Sequence, residues 1–290
     1  MEIVLNGGDR DGPRAAAGGQ AASDGPSAER PRRAIRSYVL RRSHFSPAQR
    51  DAYQRLLPRF GVAFTGQPVD PVALFGRAAP LILEIGFGMG DTTAEIAAAA
   101  PAFDFLAIDV HTPGVGALLK RIEQGGLDNI RVIEHDASAV VDAMIAPNSL
   151  TGIHVFFPDP WPKARHHKRR LLQQQFVTEL VERLRPGGYL HFATDWPDYA
   201  EQVAAIVDAR PGLGDVLAAA PAPPVVPIPP GPATRPGSDA SGNAEAAGAA
   251  AAPRWLPGTR PATRFEARGQ RLGHPITDLI RVRGAAPHLQ

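Results

Sequence analysis

Residues 81–93 read Leu-Ile-Leu-Glu-Ile-Gly-Phe-Gly-Met-Gly-Asp-Thr-Thr, an apolar run that stops at three closely spaced glycines and then meets Asp91 and Thr92. The run is short, branched and interrupted only by Glu84, which suits a strand buried on both faces. Gly86, Gly88 and Gly90 let the backbone turn tightly and approach a ligand without a Cβ in the way. Asp91 and Thr92 then open a helix. Outward from this unit, FDFLAIDV (103–110), NIRVIEH (129–135), GIHVFFP (152–158) and GYLHFAT (188–194) read as further buried strands. Helical stretches alternate with them: DTTAEIAAA (91–99), GVGALLKRIEQ (114–124), SAVVDAMI (138–145), KRRLLQQQFVTELVERL (168–184) and DYAEQVAAIVDA (198–209). Such alternation predicts an α/β fold, with a mostly parallel sheet, helices on both faces and ligands at the strands' carboxyl ends. TRFEAR (263–268) and ITDLIRVR (276–283) read as two more strands, pairing antiparallel at the edge and bringing the sheet to seven.

Composition sets the limits of this domain. Residues 1–33 and 211–257 are rich in Gly, Ala, Ser and Pro and poor in large apolar side chains, so they offer too little burial to offset the entropy of ordering. They are expected to be a disordered tail and a low-complexity insertion interrupting one domain over 34–290. With no cysteine in 290 residues, disulfides, thiolate-bound metals and cysteine nucleophiles are excluded. No apolar run approaches the roughly 20 residues that a membrane helix needs. No signal-peptide core is visible, and Glu2, Asp9, Asp11, Asp24 and Glu29 oppose an organellar transit peptide, so the expected compartment is the cytoplasm. A net charge of +2 says little about partners, but its distribution says more. Arg32, Arg33, Arg36, Arg41 and Arg42 form one acid-free stretch, and Lys163, Arg165, Lys168, Arg169 and Arg170 form another. Either alone is as readily an ordinary solvated face as a binding surface; two, one of them beside a candidate active site, favour a phosphate backbone as partner.

The glycine turn runs G-x-G-x-G, and the third position after Gly88 is Asp91 where a dinucleotide fingerprint would have glycine. A carboxylate there would repel a pyrophosphate, which argues against NAD. It suits a phosphate-free ligand with a sulfonium and an amino-acid end, as S-adenosylmethionine has. Asp109, at the end of the second strand, is placed to accept from ribose hydroxyls, and Asp136, in EHDAS, from an adenine amino group. A lone Asp at either place can instead cap a helix or form a turn, but acids at three successive strand ends (Glu84, Asp109, Asp136) make a set. The set resembles that of the class I S-adenosylmethionine-dependent methyltransferases, whose Rossmann-like fold matches the pattern above.

The fourth strand runs into FFPDPWPK (156–163). Prolines on both sides of Asp159 fix neighbouring φ angles and bias the preceding residues to extended form, presetting that carboxylate at the ligand edge. Trp161 offers a flat face for a base. FPDPWPKARHHKRR (157–170) closely resembles the bacterial tRNA (guanine-N7)-methyltransferases, and the likeness extends to LEIGFGMG, HTPGVG (111–116), ATDW (193–196) and TRFEARGQRLGH (263–274). It covers roughly 35–210 and 258–284. The resemblance implies S-adenosylmethionine as methyl donor, S-adenosylhomocysteine as product, no metal, and N7 of a guanine in the tRNA variable loop (position 46) as acceptor. By position, it assigns Glu84, Asp109, Asp136 and Asp159 to the cofactor, alongside the three glycines, and makes Asp159 the catalytic residue. Lys163, Asp195, Thr263, Arg264, Phe265 and Glu266 are assigned to the substrate, and Arg165, Lys168, Arg169 and Arg170 to RNA. Members occur as monomers and homodimers. On the residues alone, Asp195 can also cap the following helix, and Glu266 can pair with Arg264 or Arg268. The chain departs from the family in its long Pro- and Ala-rich insertion between ATDW and TRFE and in its extended N-terminus. Two other readings stand beside this one: a methyltransferase for protein or small-molecule amines, and a non-catalytic RNA-binding protein on the same fold.

Overall fold

The computed structural model describes residues 37–38, 44–210, 213–215 and 258–284, so the expectations for 1–33 and for most of 211–257 lie outside the described residues. Strands β1 (Leu81–Ile85), β2 (Asp104–Asp109), β3 (Ile130–Glu134), β4 (Leu150–Phe156), β5 (Leu184–Thr194), β6 (Leu213–Asp215) and β7 (Thr277–Arg283) form one sheet in the order β3-β2-β1-β4-β5-β7-β6. The first five pair in parallel, while β7 runs antiparallel to both β5 and β6. All five residues of β1 and all seven of β4 are buried, as expected of strands covered on both faces. Ile85 is level with Ile108 on one side and Val155 on the other, so β1, β2 and β4 end together and their following turns share one edge.

Helices α1 (Pro47–Phe60), α2 (Pro71–Phe75), α3 (Asp91–Ala99), α4 (Thr112–Gly125), α5 (Ala137–Met144), α6 (Gln174–Arg183), α7 (Pro197–Asp208) and α8 (Arg264–Arg271) complete the fold, with a 3-10 helix over Ala164–Arg169. One core contains Leu83, Ile108, Ile153 and Phe192 with Leu180 and Val203. A second, on the opposite face, joins Ile82, Phe105 and Val132 to Ile96, Leu118 and Phe60. Burial of such side chains contributes roughly 1.5–3 kcal/mol each.

The sequence reading is corrected in two places. TRFEAR is helix, not strand: Thr263 Oγ1 accepts from the Glu266 amide at 3.0 Å, an N-cap that the T-x-x-E spacing announces. Six of the seven expected strand segments are therefore strands, and the edge is extended instead by the three-residue β6. The helix expected over 168–184 is divided into the 3-10 turn and the shorter α6. Between them the chain leaves helical geometry, because Arg170 is drawn inside and the Leu172 amide donates to the Tyr199 hydroxyl at 3.0 Å. Leu184, expected to close that helix, opens β5.

Candidate active site

The glycine turn lies where β1 ends and α3 begins. Gly90 is the N-cap of α3 at φ 72°, and a Cβ there would stand 2.7 Å from Leu118 Cβ of α4. Gly114, in the HTPGVG stretch, has no room for a Cβ because the Gly88 carbonyl occupies its place. These two positions require glycine, one for backbone conformation and contact, the other for contact alone. Asp109 braces the same turn: its Oδ2 accepts from the Gly88 amide at 2.8 Å, and its Oδ1 from the amides of Val110 (2.7 Å) and His111 (2.9 Å). Burial raises its pKa, and those three amides oppose the rise.

A cleft of about 660 Å³ opens over this turn. Its floor and one wall are Glu84, Gly86, Gly88 and Gly90 with Phe156 and Phe157, and its other wall is Thr263, Arg264 and Phe265 with Arg268 and Arg271. Glu84 is buried and its Oε2 has no hydrogen-bond partner among the described residues. Burial pushes its pKa up to about 7; the Thr93 hydroxyl pulls it down, and the Asp109 charge adds to the rise. An orphaned carboxylate oxygen in a cleft calls for a donor, and the hydroxyl and ammonium groups of S-adenosylmethionine are donors of the right kind.

Beside the cleft, Phe157 and Trp161 both hold left-handed backbone, at φ 48° and 46°, on either side of Pro158-Asp159-Pro160. Bulky side chains rarely adopt this conformation, at a cost of about 1–3 kcal/mol each, so the surroundings must impose it. The Phe157 amide donates to Ala193 O at 2.8 Å, and its ring stacks on the Phe265 ring (6.2 Å, interplanar angle 17°) and has the Arg260 guanidinium over it at 5.1 Å. Trp161 donates from Nε1 to Ser37 O at 3.0 Å and carries the Arg169 guanidinium 4.1 Å from its ring centre. One face of the expected stacking platform is thus already covered. Asp159, half-buried between these two strained residues, does not line the cleft.

Of the expected site residues, the cleft gathers Glu84, the three glycines, Thr263, Arg264 and Phe265. Asp136 caps α5, accepting from the amides of Ser138 (2.9 Å) and Ala139 (3.2 Å). Asp195 does not cap α7, whose N-cap is Trp196. It packs instead under α8, where a Cβ on Gly269 would fall 2.8 Å from its own Cβ. Glu266 pairs with Arg260 at 2.5 Å, and with neither Arg264 nor Arg268. Arg264 reaches across the cleft to Asp91 at 2.6 Å, and Arg121 of α4 pairs with the same carboxylate.

Lys163, Arg165 and Lys168 are exposed on and before the 3-10 helix. Arg170 is not, which corrects its expected contact with RNA. Only 2% exposed, it donates to Pro160 O (2.9 Å), Gln202 Oε1 (2.7 Å) and Asp198 Oδ2 (2.6 Å), and stands over the Tyr199 ring. A guanidinium so engaged and so little exposed holds the PDPW turn from behind and presents almost no surface to a phosphate.

Arg260 was missing from the residues picked out by sequence, and Phe156 and Phe157 stood in the FFPDPWPK stretch without a role of their own. Phe156 and Phe157 read as the end of a buried strand, and a lone Arg beside Pro261 at the end of a low-complexity tract has no pattern to single it out.

Comparison with known proteins places the chain in a family. A family model described as "Putative methyltransferase" matches residues 78–224. The tRNA (guanine-N(7)-)-methyltransferase of Nitrosomonas eutropha is 51% identical over 87% of this chain and 97% of its own length. That of Paraburkholderia xenovorans is 50% identical over 88% and 85%, and that of Bordetella pertussis 47% identical over 92% and 90%. Among solved structures, an rRNA methylase from Streptococcus thermophilus shares 17% identity at a TM-score of 0.36 over 47% of this chain and 77% of that one, too distant to support an argument. The curated likeness covers 87% to 92% of this chain: the chain belongs to the tRNA (guanine-N(7)-)-methyltransferase family.

Proposed function

We propose that this protein transfers the methyl group of S-adenosylmethionine to N7 of a guanine in tRNA, at position 46 of the variable loop, leaving S-adenosylhomocysteine. The observation that carries the reading is the cleft itself, where the braced glycine turn and the orphaned Glu84 oxygen face Thr263, Arg264 and Phe265. S-adenosylmethionine supplies, when bound, a methyl group made electrophilic by its sulfonium.

Guanine N7 bears an in-plane lone pair and no proton, so the chain's residues have no proton to remove. Their work is alignment, worth many orders of magnitude in rate when reacting atoms are held in line, and stabilisation of a ring that becomes cationic. Glu84 takes donors of the cofactor, and Asp109 fixes the turn beside it. Asp159, preset by its two prolines, orients and stabilises developing positive charge and does not act as a general base. Asp195 and Glu266 accept from guanine N1–H and the 2-amino group. Lys163, Arg165, Lys168 and Arg169 meet the phosphate backbone. Within the described residues no helix is long and apolar enough to cross a membrane, and the reading places the enzyme in the cytoplasm.

The test is direct. Purified protein with labelled S-adenosylmethionine should methylate unmodified tRNA, and borohydride–aniline treatment should then cleave the RNA at the variable-loop guanine. Label on another base, or none, rejects the assignment. Asp159→Ala should lower turnover by about 100-fold or more while changing tRNA affinity by less than threefold; unchanged turnover removes Asp159 from the mechanism.

A further inference from the structure

Arg260 is assigned nothing by the sequence motifs, yet its side chain is 7% exposed and satisfied from several directions. Toward the sheet, its Nε and one terminal nitrogen donate in a fork to Asp278 of β7, at 2.7 and 2.8 Å. Asp278 is itself held by His191 of β5 at 2.7 Å, so the fork is anchored to two strands. Burial raises the Asp278 pKa, but the hydrogen bonds from His191 and Arg260 outweigh it and bring it down to about 2. Away from that fork, the remaining terminal nitrogen donates to Glu266 Oε2 at 2.5 Å, next in sequence to the cleft-lining Phe265, and the guanidinium carbon stands 5.1 Å from the Phe157 ring centre. Phe157 lines the cleft in its strained conformation, two residues before Asp159.

We propose that Arg260 is a positioning residue for guanine recognition: anchored on the sheet through Asp278, it sets the orientation of the Glu266 carboxylate and of the Phe157 ring beside it. The inference rests on the reading above, in which Glu266 receives the guanine edge. An ionised carboxylate has about four acceptor positions. Arg260 occupies one on Oε2, and Gln270 occupies one on Oε1 through a long contact of 3.4 Å. One position per oxygen remains, the arrangement that guanine's adjacent N1–H and 2-amino donors require and that adenine, lacking both, cannot use. A planar guanidinium can hold two carboxylates and lie against a ring at once; a lysine ammonium cannot.

A double-mutant cycle on the intact enzyme decides the matter. Arg260→Ala and Glu266→Gln should each lower kcat/KM for tRNA by about 10- to 100-fold. The double variant should fall no more than threefold below the worse single one, and S-adenosylmethionine affinity by calorimetry should stay within threefold of wild type throughout. Millimolar guanidinium ion should restore at least fivefold to Arg260→Ala and nothing to Glu266→Gln. Multiplying losses, cofactor affinity falling in step with turnover, or an indifferent Arg260→Ala each overturn the proposal. If Arg260→Ala does not fold, Arg260→Lys, which keeps the charge and loses the fork, should show at least a tenfold loss; full activity in it is equally fatal. Wild-type enzyme run alongside separates the two levels: no guanine-N7 product from wild type removes the functional reading and this inference with it, whereas active wild type with an indifferent variant removes Arg260 alone.

Discussion

On one side of the cleft, Gly86, Gly88 and Gly90 lie in a turn fixed by the buried strand before it, by α4 pressed against it, and by the amides that Asp109 gathers. On the other side, Thr263, Arg264 and Phe265 ride on α8, whose one buried residue is Gly269. Charge fixes that second wall: Glu266 to Arg260, Arg260 to Asp278, and Arg264 to Asp91. A wall set by backbone contact tolerates almost no change of shape and little change with salt, whereas a wall set by ion pairs can be shifted by substitution, and by salt where the pair is exposed as Arg264 and Asp91 are, without disturbing the core. Under the proposed function the cofactor's environment is the constant one and the substrate's the adjustable one, which suits an enzyme that admits a large RNA.

The largest expected effect lies on the rigid wall. Gly90→Ala puts a Cβ against Leu118 at a backbone angle unfavourable to side chains. Left-handed strain and overpacking together cost about 2–5 kcal/mol, or about 5–20 °C in Tm for a domain of this size. Cofactor affinity should fall in parallel. A variant with wild-type Tm would show that α4 yields where the comparison says it cannot.

Next comes Glu84. Its folded pKa, about 7, lies above the ordinary 4.5, so between those values the folded protein holds a proton that the unfolded chain has released. Stability is therefore added at low pH and lost as pH rises from 4.5 to 7, by at most about 3 kcal/mol. Urea unfolding of ligand-free wild type and Glu84→Gln across pH 5–8 should show the wild type losing stability relative to the variant as pH rises. Parallel curves would mean the carboxylate is solvated and the wall less closed than described.

Arg170 and Lys168 test which parts of the basic run face solvent. Arg170→Met should lower stability by about 1–3 kcal/mol through the lost hydrogen bonds, Asp198 being exposed enough to hydrate. It should leave the salt dependence of tRNA binding unchanged. Lys168→Ala should do the reverse, reducing the slope of log affinity against log salt by about 1 at constant Tm. An Arg170 variant with a shallower slope would return that residue to the RNA-facing set.

How much of this was legible follows the same division. The glycine turn, the parallel strands and most of the helices were readable because burial and close backbone contact impose residue types locally, as LILEI and Gly90 do. Gly114 was quoted within HTPGVG, but its reason, contact with the Gly88 carbonyl, exists only after α4 has folded back on β1. The charged wall was less readable. TRFEAR has an alternation that suits a strand, and its T-x-x-E cap was the contrary signal. Arg170 looked like its exposed neighbours because sequence does not show which guanidinium a buried acceptor such as Pro160 O will draw inward. Helices α1 and α2 lie in a segment whose capping signals, Ser46 with Gln49 and Asp70 before Pro71, are local and short.

The smallest expected effect is the sharpest test of the comparison. Arg264 and Asp91 are 72% and 47% exposed, and an exposed pair contributes about 0.2–1 kcal/mol. Asp91 would also keep Arg121 as a partner after Arg264 is lost, so no buried charge is orphaned. Arg264→Ala should therefore move Tm by less than about 3 °C and change cofactor affinity by less than about fivefold at low salt, with the difference from wild type vanishing near 0.5 M salt, where the screening length is only a few ångström. A large loss that persists at high salt would mean that Arg264 contributes by packing, and that the two walls are less unlike than their contacts indicate. A small, salt-sensitive loss would mean that this pair is a weak tie across the cleft, strong enough to bias α8 toward the glycine turn and weak enough for an incoming polyanion to replace.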